Sequence, residues 1–215
     1  MRNDLKAPLS YYIRRGHYLY FFGYWLYGMY YDLKIARMPM CATIFNKDKR
    51  YYPVQSISYP YMNELIKNIE YSSNDVFVDI GCAWGRLLGY LNYKTNISNY
   101  VGIEIDKQVA SIAKKALKKH ANIKIVNDNV LNYIPKEGTI YYLFNPFDEN
   151  ILNELLNKIE REIYHNIKLL YLHPTAESVF EKHNHWQKVD TRSILPPYSG
   201  LDALKLNIYE YHPEN

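Results

Sequence analysis

Short, nearly continuous apolar runs alternate with longer segments of mixed polarity from residue 76 onward. Runs this short and this apolar are typical of strands in a parallel sheet that is covered on both faces, because no position along them has to meet water. Five runs are therefore predicted to be strands: residues 76–80, 100–105, 123–126, 139–144 and 167–172.

The segments between these runs have the spacing of amphipathic helices. Residues 109–117 place apolar side chains on one helical face and lysines on the rest, and residues 151–163 repeat the pattern. Strand–helix–strand units of this length form right-handed crossovers, so an α/β fold with a doubly wound, mostly parallel sheet is predicted. The lysines are interpreted as a solvated helix face rather than as a nucleic-acid site.

The two ends of the chain depart from this alternation. Residues 187–195 and 204–211 are β-like and are separated by turn residues, which predicts an antiparallel pair that closes the edge of a seven-stranded sheet. Residues 1–70 are predicted to form an aromatic-rich helical extension, and residues 71–215 the sheet domain.

Composition excludes several classes of protein. With 215 residues, 48% hydrophobic and 22% charged, the chain is expected to fold around one main core. A net charge of +4 does not indicate nucleic acid as a partner. Cys41 and Cys82 lie too far apart in sequence for a thiolate zinc motif or a disulfide framework, which favours a reducing, cytoplasmic location. His183 and His185 have no third ligand at suitable spacing, so no metal site is predicted.

The N-terminal extension is unusually aromatic, with half of the 24 tyrosines in the first 61 residues. Residues 18–31 are uncharged but too short and too rich in hydroxyl groups to span a membrane. Phe21, Phe22, Trp25 and Met29 share one helical face, which is predicted to be core. The surplus tyrosines indicate an acceptor-facing lid, a homodimer interface or, less favoured, a peripheral membrane contact.

The segment from Asp79 to Arg86 reads DIGCAWGR and follows the first predicted strand, where doubly wound folds bind nucleotides. Its spacing of Gly81, Ala83 and Gly85 does not meet the dinucleotide fingerprint. The Asp79 carboxylate would also repel a pyrophosphate seated on the following helix. S-adenosylmethionine carries an ammonium and a sulfonium and no phosphate, so it matches an acidic residue beside this turn better.

This segment resembles the glycine-rich motif of the class I, Rossmann-like S-adenosylmethionine-dependent methyltransferases, and by the order of motifs the resemblance covers residues 73–211. Members of that family usually have glycine where Ala83 stands, and alanine is expected to be tolerated there with a negative φ. The resemblance implies that S-adenosylmethionine, with S-adenosylhomocysteine as product, is bound by Asp79, Gly81, Ala83, Gly85, Glu104, Ile105, Asp128, Asn129 and Asn145.

Acidic residues lie at the ends of the predicted strands, where each alone could be a helix cap or a loop carboxylate, but where together with the glycine turn they suit this cofactor. Glu104 lies about 20 residues beyond the turn, where a carboxylate can accept both ribose hydroxyls. Asp106 is predicted to cap the next helix. The resemblance assigns Asp128 to the adenine amino group, with the Asn129 backbone alongside.

The fourth strand is followed by Asn145, Pro146 and Phe147, which resemble the Asn-Pro-Pro-Tyr/Phe motif of nitrogen methyltransferases with one proline missing. The resemblance implies that Asn145 is catalytic and that Pro146 and Phe147 contact the acceptor. The alternative is that Pro146 ends the strand, Asn145 satisfies local backbone groups and Phe147 is core. His173, after the fifth strand, is a candidate general base or a structural histidine.

The predicted function is methyl transfer from S-adenosylmethionine to nitrogen or oxygen of a small molecule or a protein amine, with Tyr31 and other N-terminal tyrosines facing the acceptor. RNA is the third choice of acceptor, because the chain lacks a concentrated basic surface. The alternative is a non-catalytic, methyltransferase-like partner subunit that acts through its aromatic segment. A nucleotide-dependent oxidoreductase is disfavoured by Asp79 and by the glycine spacing.

Overall fold

The computed structural model describes residues 18–36, 56–196 and 202–213. These residues form a seven-stranded sheet, five α-helices and a short 3₁₀ helix, Glu177–Lys182. The strands are β1 Val76–Ile80, β2 Asn99–Glu104, β3 Ile123–Asn127, β4 Ile140–Leu143, β5 Ile167–Leu172, β6 Trp186–Ile194 and β7 Leu204–Tyr211. The helices are α1 Tyr18–Ala36, α2 Tyr59–Lys67, α3 Arg86–Lys94, α4 Lys107–Leu117 and α5 Glu149–Glu162.

The strands lie in the order β3-β2-β1-β4-β5-β7-β6. Strands β1 to β5 pair in parallel, whereas β7 pairs antiparallel with both β5 and β6 and so runs opposite to all the others. The predicted α/β fold, its mostly parallel sheet and its C-terminal antiparallel pair are confirmed. The carboxyl ends of β1, β2, β3 and β4 therefore meet at one edge, where doubly wound folds bind ligands.

An apolar cluster covers each face of the sheet. Phe77 of β1 belongs to the cluster that also contains residues of α1 to α4, and the neighbouring Val78 and Ile80 belong to the cluster formed with α5. Side chains alternate between the faces of a strand, so a strand that is buried on both sides has to be apolar at nearly every position. Asp79 is the exception in β1, and it shares the α1–α4 face with Phe77.

Side-chain caps begin two of the helices. The Asp106 carboxylate accepts hydrogen bonds from the backbone N–H groups of Gln108 (2.8 Å) and Val109 (3.0 Å), which confirms its predicted capping role. Asp148 accepts from the N–H of Ile151 at 3.0 Å and begins α5 in the same way. Both caps begin helices that follow directly on the sheet edge.

Helix α1 packs on α3 through a different face from the one predicted. Phe22 and Trp25 are 57% and 50% exposed, whereas Tyr31 and Ile35 are buried, so the predicted core face is wrong for those two aromatic residues. The reason lies in α3: a Cβ at Gly89 would lie 2.4 Å from Ile35 Cγ2, so the glycine leaves the space that Ile35 occupies.

Tyrosine rings fill the layer between α1, α2 and α3. The ring of Tyr31 lies 4.8 Å from Tyr27, 5.2 Å from Tyr59 and 5.0 Å from Tyr90, measured between centroids. Pairs at these distances and tilted orientations contribute about 0.5–1.5 kcal/mol each beyond the area they bury. Part of the surplus of tyrosine is therefore used to attach the N-terminal helices to the sheet domain.

The described N-terminal helices share one apolar cluster with the sheet, and the domain boundary at residue 70 stays a prediction. Within the described ranges, no helix is long and apolar enough to cross a membrane. Cys41 and the turn residues 197–201 lie outside the described residues.

We expect Gly89→Ala to lower the free energy of unfolding by about 1–3 kcal/mol, because the added methyl group collides with Ile35. The matched control is Gly28→Ala in α1, where nothing lies within 4 Å of the new Cβ. That change should stabilise the protein by up to about 1 kcal/mol through helix propensity. Chemical denaturation measures both, and a stabilising Gly89→Ala would contradict the close contact between α1 and α3.

Candidate functional site

The turn between β1 and α3 is fastened to the end of β2. Gly81 and Cys82 both donate backbone N–H hydrogen bonds to the carbonyl oxygen of Ile103, at 2.9 and 3.0 Å. Gly81 has φ +78° and Gly85 has φ +74°, the left-handed region that glycine adopts without strain. The turn therefore has a fixed shape, and within it Gly81 is exposed at the sheet edge whereas residues 82–85 are buried.

Both glycines are also required by close packing. A Cβ at Gly85 would lie 2.5 Å from Leu117 Cδ1, and a Cβ at Gly81 would lie 3.0 Å from Pro146 Cβ. Pro146 thus packs against the turn, and its predicted contact with an acceptor stays a prediction.

Ala83 has φ +51°, so the expectation of a negative φ at this position is wrong. The Ala83 N–H donates to the Glu104 carboxylate at 3.0 Å, so this strained residue is held at the end of β2. An L-residue with a side chain adopts this conformation at a cost of about 1–2 kcal/mol.

Asp79 is the most unusual group at the sheet edge. It is 4% exposed, and no described residue donates a hydrogen bond to its carboxylate. Burial, and next the nearby charge of Glu104, raise the pKa of Asp79 to about 8. An isolated buried carboxylate is costly, and a cationic partner would offset that cost.

Tyr142 of β4 lies directly opposite Asp79 in the sheet register. Its hydroxyl is buried and has no hydrogen-bond partner among the described residues. Burial and the charge of Asp79 hold the Tyr142 pKa well above its usual value, so the group remains a donor. The sequence analysis missed this residue, although its alternation along β4 places it on the same face as Asp79.

Glu104 connects the turn to the helix that follows β2. One carboxylate oxygen accepts the Ala83 N–H, and the other accepts the Asp106 N–H at 2.9 Å. Burial raises the Glu104 pKa despite these two hydrogen bonds. Each oxygen keeps a further lone pair, so the carboxylate can still accept hydrogen bonds from a ligand. The next residue, Ile105, is 39% exposed and offers an apolar surface beside it.

Strand β3 ends beside Glu104 in the register of the sheet. The Asn127 side-chain amide donates to the carbonyl oxygens of Glu104 (2.9 Å) and Ile105 (3.1 Å) and so fixes the end of β2. Asp128 follows, half-buried, and one of its oxygens accepts the Asn129 N–H at 2.7 Å. The sequence analysis missed Asn127, because an asparagine at a strand end is also an ordinary turn residue.

A cleft lies against Asp79 and the turn. The segment before α2 and the first turns of that helix supply one wall, with Ser56, Ile57 and Met62. Leu87 and Phe144 also line the cleft. No sequence pattern indicated these wall residues, because only tertiary packing brings them to the sheet edge.

Asn145 follows β4 and is 1% exposed, with φ +41°. Its side-chain oxygen accepts hydrogen bonds from the hydroxyls of Tyr171 (3.1 Å) and Thr175 (3.0 Å). A carbonyl oxygen has two lone pairs, so an acceptor N–H could bind this atom only by displacing one of these donors. The alternative role in local hydrogen bonding therefore gains support, and the catalytic role stays a prediction.

The other predicted acceptor contacts lie apart from the cleft lining. Phe147 belongs to the apolar cluster on the α5 face, and Tyr31 belongs to the aromatic layer on the opposite face. His173 is half-buried after β5, with φ +52°, and its backbone N–H donates to the Lys205 carbonyl at 2.7 Å. The roles of all three toward an acceptor stay predictions.

The histidines considered for metal binding do not form a metal site in the described ranges. His183 is buried and lies 2.9 Å from a carboxylate oxygen of Glu160 and 3.1 Å from the side-chain oxygen of Asn153. In the part of the chain that the structure describes, no three His, Cys, Asp or Glu side chains are grouped so as to hold a metal ion.

We expect Ala83→Gly to raise the free energy of unfolding by up to about 1 kcal/mol, because glycine removes the left-handed strain at this position. The matched control is Ala110→Gly in the buried interior of α4, which should lower it by about 1 kcal/mol or more. Urea denaturation compares the two, and a destabilising Ala83→Gly would contradict the strain.

Comparison with known proteins agrees with this geometry. Residues 55–133 match the family model described as histone methylation protein DOT1. A tRNA (guanine-N(7)-)-methyltransferase of Prochlorococcus marinus is 30% identical over 71% of this chain and 59% of its own length. An rRNA adenine N-6-methyltransferase of Limosilactobacillus reuteri is 28% identical over 46% of this chain and 40% of its own length. The chain therefore spans about half the length of these relatives.

Solved structures share the fold. An RNA methyltransferase from Salinibacter ruber, solved with S-adenosylhomocysteine, superposes with a TM-score of 0.55. The superposition covers 75% of this chain and 95% of that one, at 16% identity. Strand order, the turn after β1 and these comparisons agree with the predicted resemblance: the chain has the Rossmann-like fold of the class I S-adenosylmethionine-dependent methyltransferases and resembles that family in sequence.

Proposed function

We propose that this chain binds S-adenosylmethionine in the cleft beside the turn after β1 and transfers its methyl group to nitrogen or oxygen of an acceptor. The observation that carries the proposal is the Asp79 carboxylate, which is buried, lines the cleft and receives no hydrogen bond from the described residues. Such a group favours a cation, and the cofactor carries an ammonium group.

The surroundings of Asp79 fit the amino-acid end of this cofactor. Gly81 lines the cleft and is exposed, so its backbone is accessible where a ligand would approach, whereas Gly85 is buried against Leu117. The Tyr142 hydroxyl is a buried donor that a ligand carboxylate would satisfy. The ligand would therefore meet a negative group and a neutral donor next to each other, which suits a zwitterion.

The ribose and adenine are proposed to lie over the ends of β2 and β3. The free lone pairs of Glu104 would accept the ribose hydroxyls, and Ile105 would pack on the adenine ring. Asp128 and the Asn129 backbone would bind the edge of the base, as the family resemblance implies. Asn127 supports this arrangement, because its side-chain amide donates hydrogen bonds to the backbone carbonyl oxygens of Glu104 and Ile105.

The cofactor supplies a methyl group already activated by the sulfonium, so the chain needs no nucleophile of its own. The apolar walls formed by Ile57, Met62 and Phe144 would exclude water and hold the acceptor in line. His173 is proposed to take a proton if the acceptor is a hydroxyl or a protonated amine.

The roles proposed for Asn145, Pro146, Phe147 and Tyr31 toward the acceptor rest on the family resemblance alone. For Asn145 the proposal requires that the Tyr171 or Thr175 hydroxyl turn away when the acceptor binds.

A small molecule or a protein amine is proposed as the acceptor. Among the described residues that line the cleft, Asp79 is the only charged one. RNA binding depends on neutralising phosphates with lysine or arginine, and the described cleft wall presents neither. Two of the relatives named above are RNA methyltransferases, so RNA is the alternative acceptor to test.

We expect calorimetric titration with S-adenosylhomocysteine to give micromolar affinity, about 8 kcal/mol. Asp79→Asn and Glu104→Gln should each weaken binding about tenfold or more, because each removes a charged acceptor of a ligand hydrogen bond. Asp202→Asn is the control, since its side chain is exposed, and should bind as the wild type does. If the folded wild type does not bind, the catalytic proposal fails and the partner-subunit alternative is favoured.

We expect Asp79→Asn also to stabilise the unliganded protein in alkaline solution. The pKa of Asp79 is raised from 3.8 to about 8 in the folded protein. Between about pH 4 and pH 8 the unfolded chain therefore releases a proton that the folded protein retains, so the free energy of unfolding falls as the pH rises through this range. The variant should remove this loss and raise the free energy of unfolding at pH 8 by roughly 2–5 kcal/mol.

Urea denaturation at pH 5 and pH 8 measures the effect. Asp202→Asn makes the same chemical change at an exposed position and should alter stability by no more than about 0.5 kcal/mol. Equal effects of the two variants at pH 8 would contradict the raised pKa of Asp79.

A further inference from the structure

We propose that Arg86 is a positioning residue for the cofactor turn, held in place by Asp32 of α1 and Tyr59 of α2. Arg86 thereby joins α1 and α2 to the turn. Cofactor affinity then depends on a contact whose side chains do not line the cleft. The inference rests on the proposed binding of S-adenosylmethionine and adds residues to that site that no family motif assigned.

Arg86 is the first residue of α3 and follows Gly85 directly. Its Nε donates to one oxygen of Asp32 at 3.0 Å and its Nη2 to the other at 2.8 Å. Arg86 is 9% exposed and Asp32 is 1% exposed. A two-point hydrogen bond between a planar guanidinium and a carboxylate fixes orientation as well as distance. The direction in which α3 leaves the turn is thereby tied to α1.

Tyr59 adds α2 to the same contact. Its hydroxyl donates to Asp32 Oδ1 at 2.7 Å, and the Arg86 guanidinium carbon lies 5.0 Å from the centre of its ring. Burial, followed by the hydrogen bond to Asp32, raises the Tyr59 pKa, so the hydroxyl remains a donor at neutral pH. We name the contact among Asp32, Tyr59 and Arg86 the buried bridge.

The buried bridge joins the parts of the chain that form the cleft. Ile57 and Met62 lie on either side of Tyr59 and line one wall. Ala83 and Leu87 lie on either side of Arg86 and line another. A change in the bridge therefore alters the distance between two walls of the cleft, although none of its three side chains is among the residues that line it.

Helix stability does not account for this arginine. A cation in the first turn of a helix opposes the helix dipole, and the first turn of α3 contains no acidic residue to offset it. Replacing a buried ion pair by apolar side chains is often neutral or stabilising, so the pair adds little that packing could not supply. An apolar replacement could fill the same space, but it would lack the directional hydrogen bonds that position the turn.

The test compares Arg86→Met, Asp32→Asn and the double variant with the wild type by calorimetric titration with S-adenosylhomocysteine. Each single variant should weaken binding about tenfold or more, and the double variant should weaken it no further, because both changes break one contact. The matched control is Lys158→Met in α5, which breaks the ion pair of the buried Lys158 with the half-buried Glu162 (2.6 Å) on the other face of the sheet.

The control should lose stability in urea denaturation yet bind within twofold of the wild type, which separates positioning from general destabilisation. Arg86→Lys keeps the charge and loses the two-point contact; it should also bind more weakly, and it decides the question if Arg86→Met does not fold. Wild-type affinity in folded Arg86 or Asp32 variants, or equal weakening by Lys158→Met, overturns the inference. A wild type that does not bind would instead overturn the proposed function.

Discussion

Three backbone N–H groups attach the turn after β1 to the end of β2, and the geometry of the site depends on this attachment. Gly81 and Cys82 donate to the Ile103 carbonyl, and Ala83 donates to the Glu104 carboxylate. Within this attached segment the backbone enters the left-handed region at Ala83, where alanine is strained. The strained residue lines the same cleft as Asp79.

The site also holds two carboxylates that the fold alone does not favour. Asp79 and Glu104 are both buried, and burial raises the pKa of each. Glu104 is partly compensated by two backbone N–H donors, whereas Asp79 receives none from the described residues. A buried carboxyl group without such donors lowers stability when it ionises, and a cationic ligand would favour the ionised form, which is an exchange of stability for function.

The N-terminal helices contribute to the described cleft through packing, and the tyrosine contacts with an acceptor that the sequence suggested stay predictions. Tyr31 lies within the aromatic layer between α1 and α3, and Ile57 and Met62 reach the cleft from the segment around α2. The outer face of α1, with Phe22 and Trp25, remains exposed in the described structure. The helices are thus a covering layer on the sheet domain, fastened by the buried bridge.

The sequence by itself determined the α/β sheet with its antiparallel pair, the turn at 81–85 and the acidic residues at the strand ends. These features can be predicted because strand burial and helix capping leave local patterns of apolar and polar residues. Tertiary structure decided the rest. The left-handed backbone at Ala83, the place of Tyr142 opposite Asp79 and the pairing of Asp32 with Arg86 each depend on segments 21 to 63 residues apart in sequence. Contacts over such separations leave no periodicity in one chain, so only the folded arrangement reveals them.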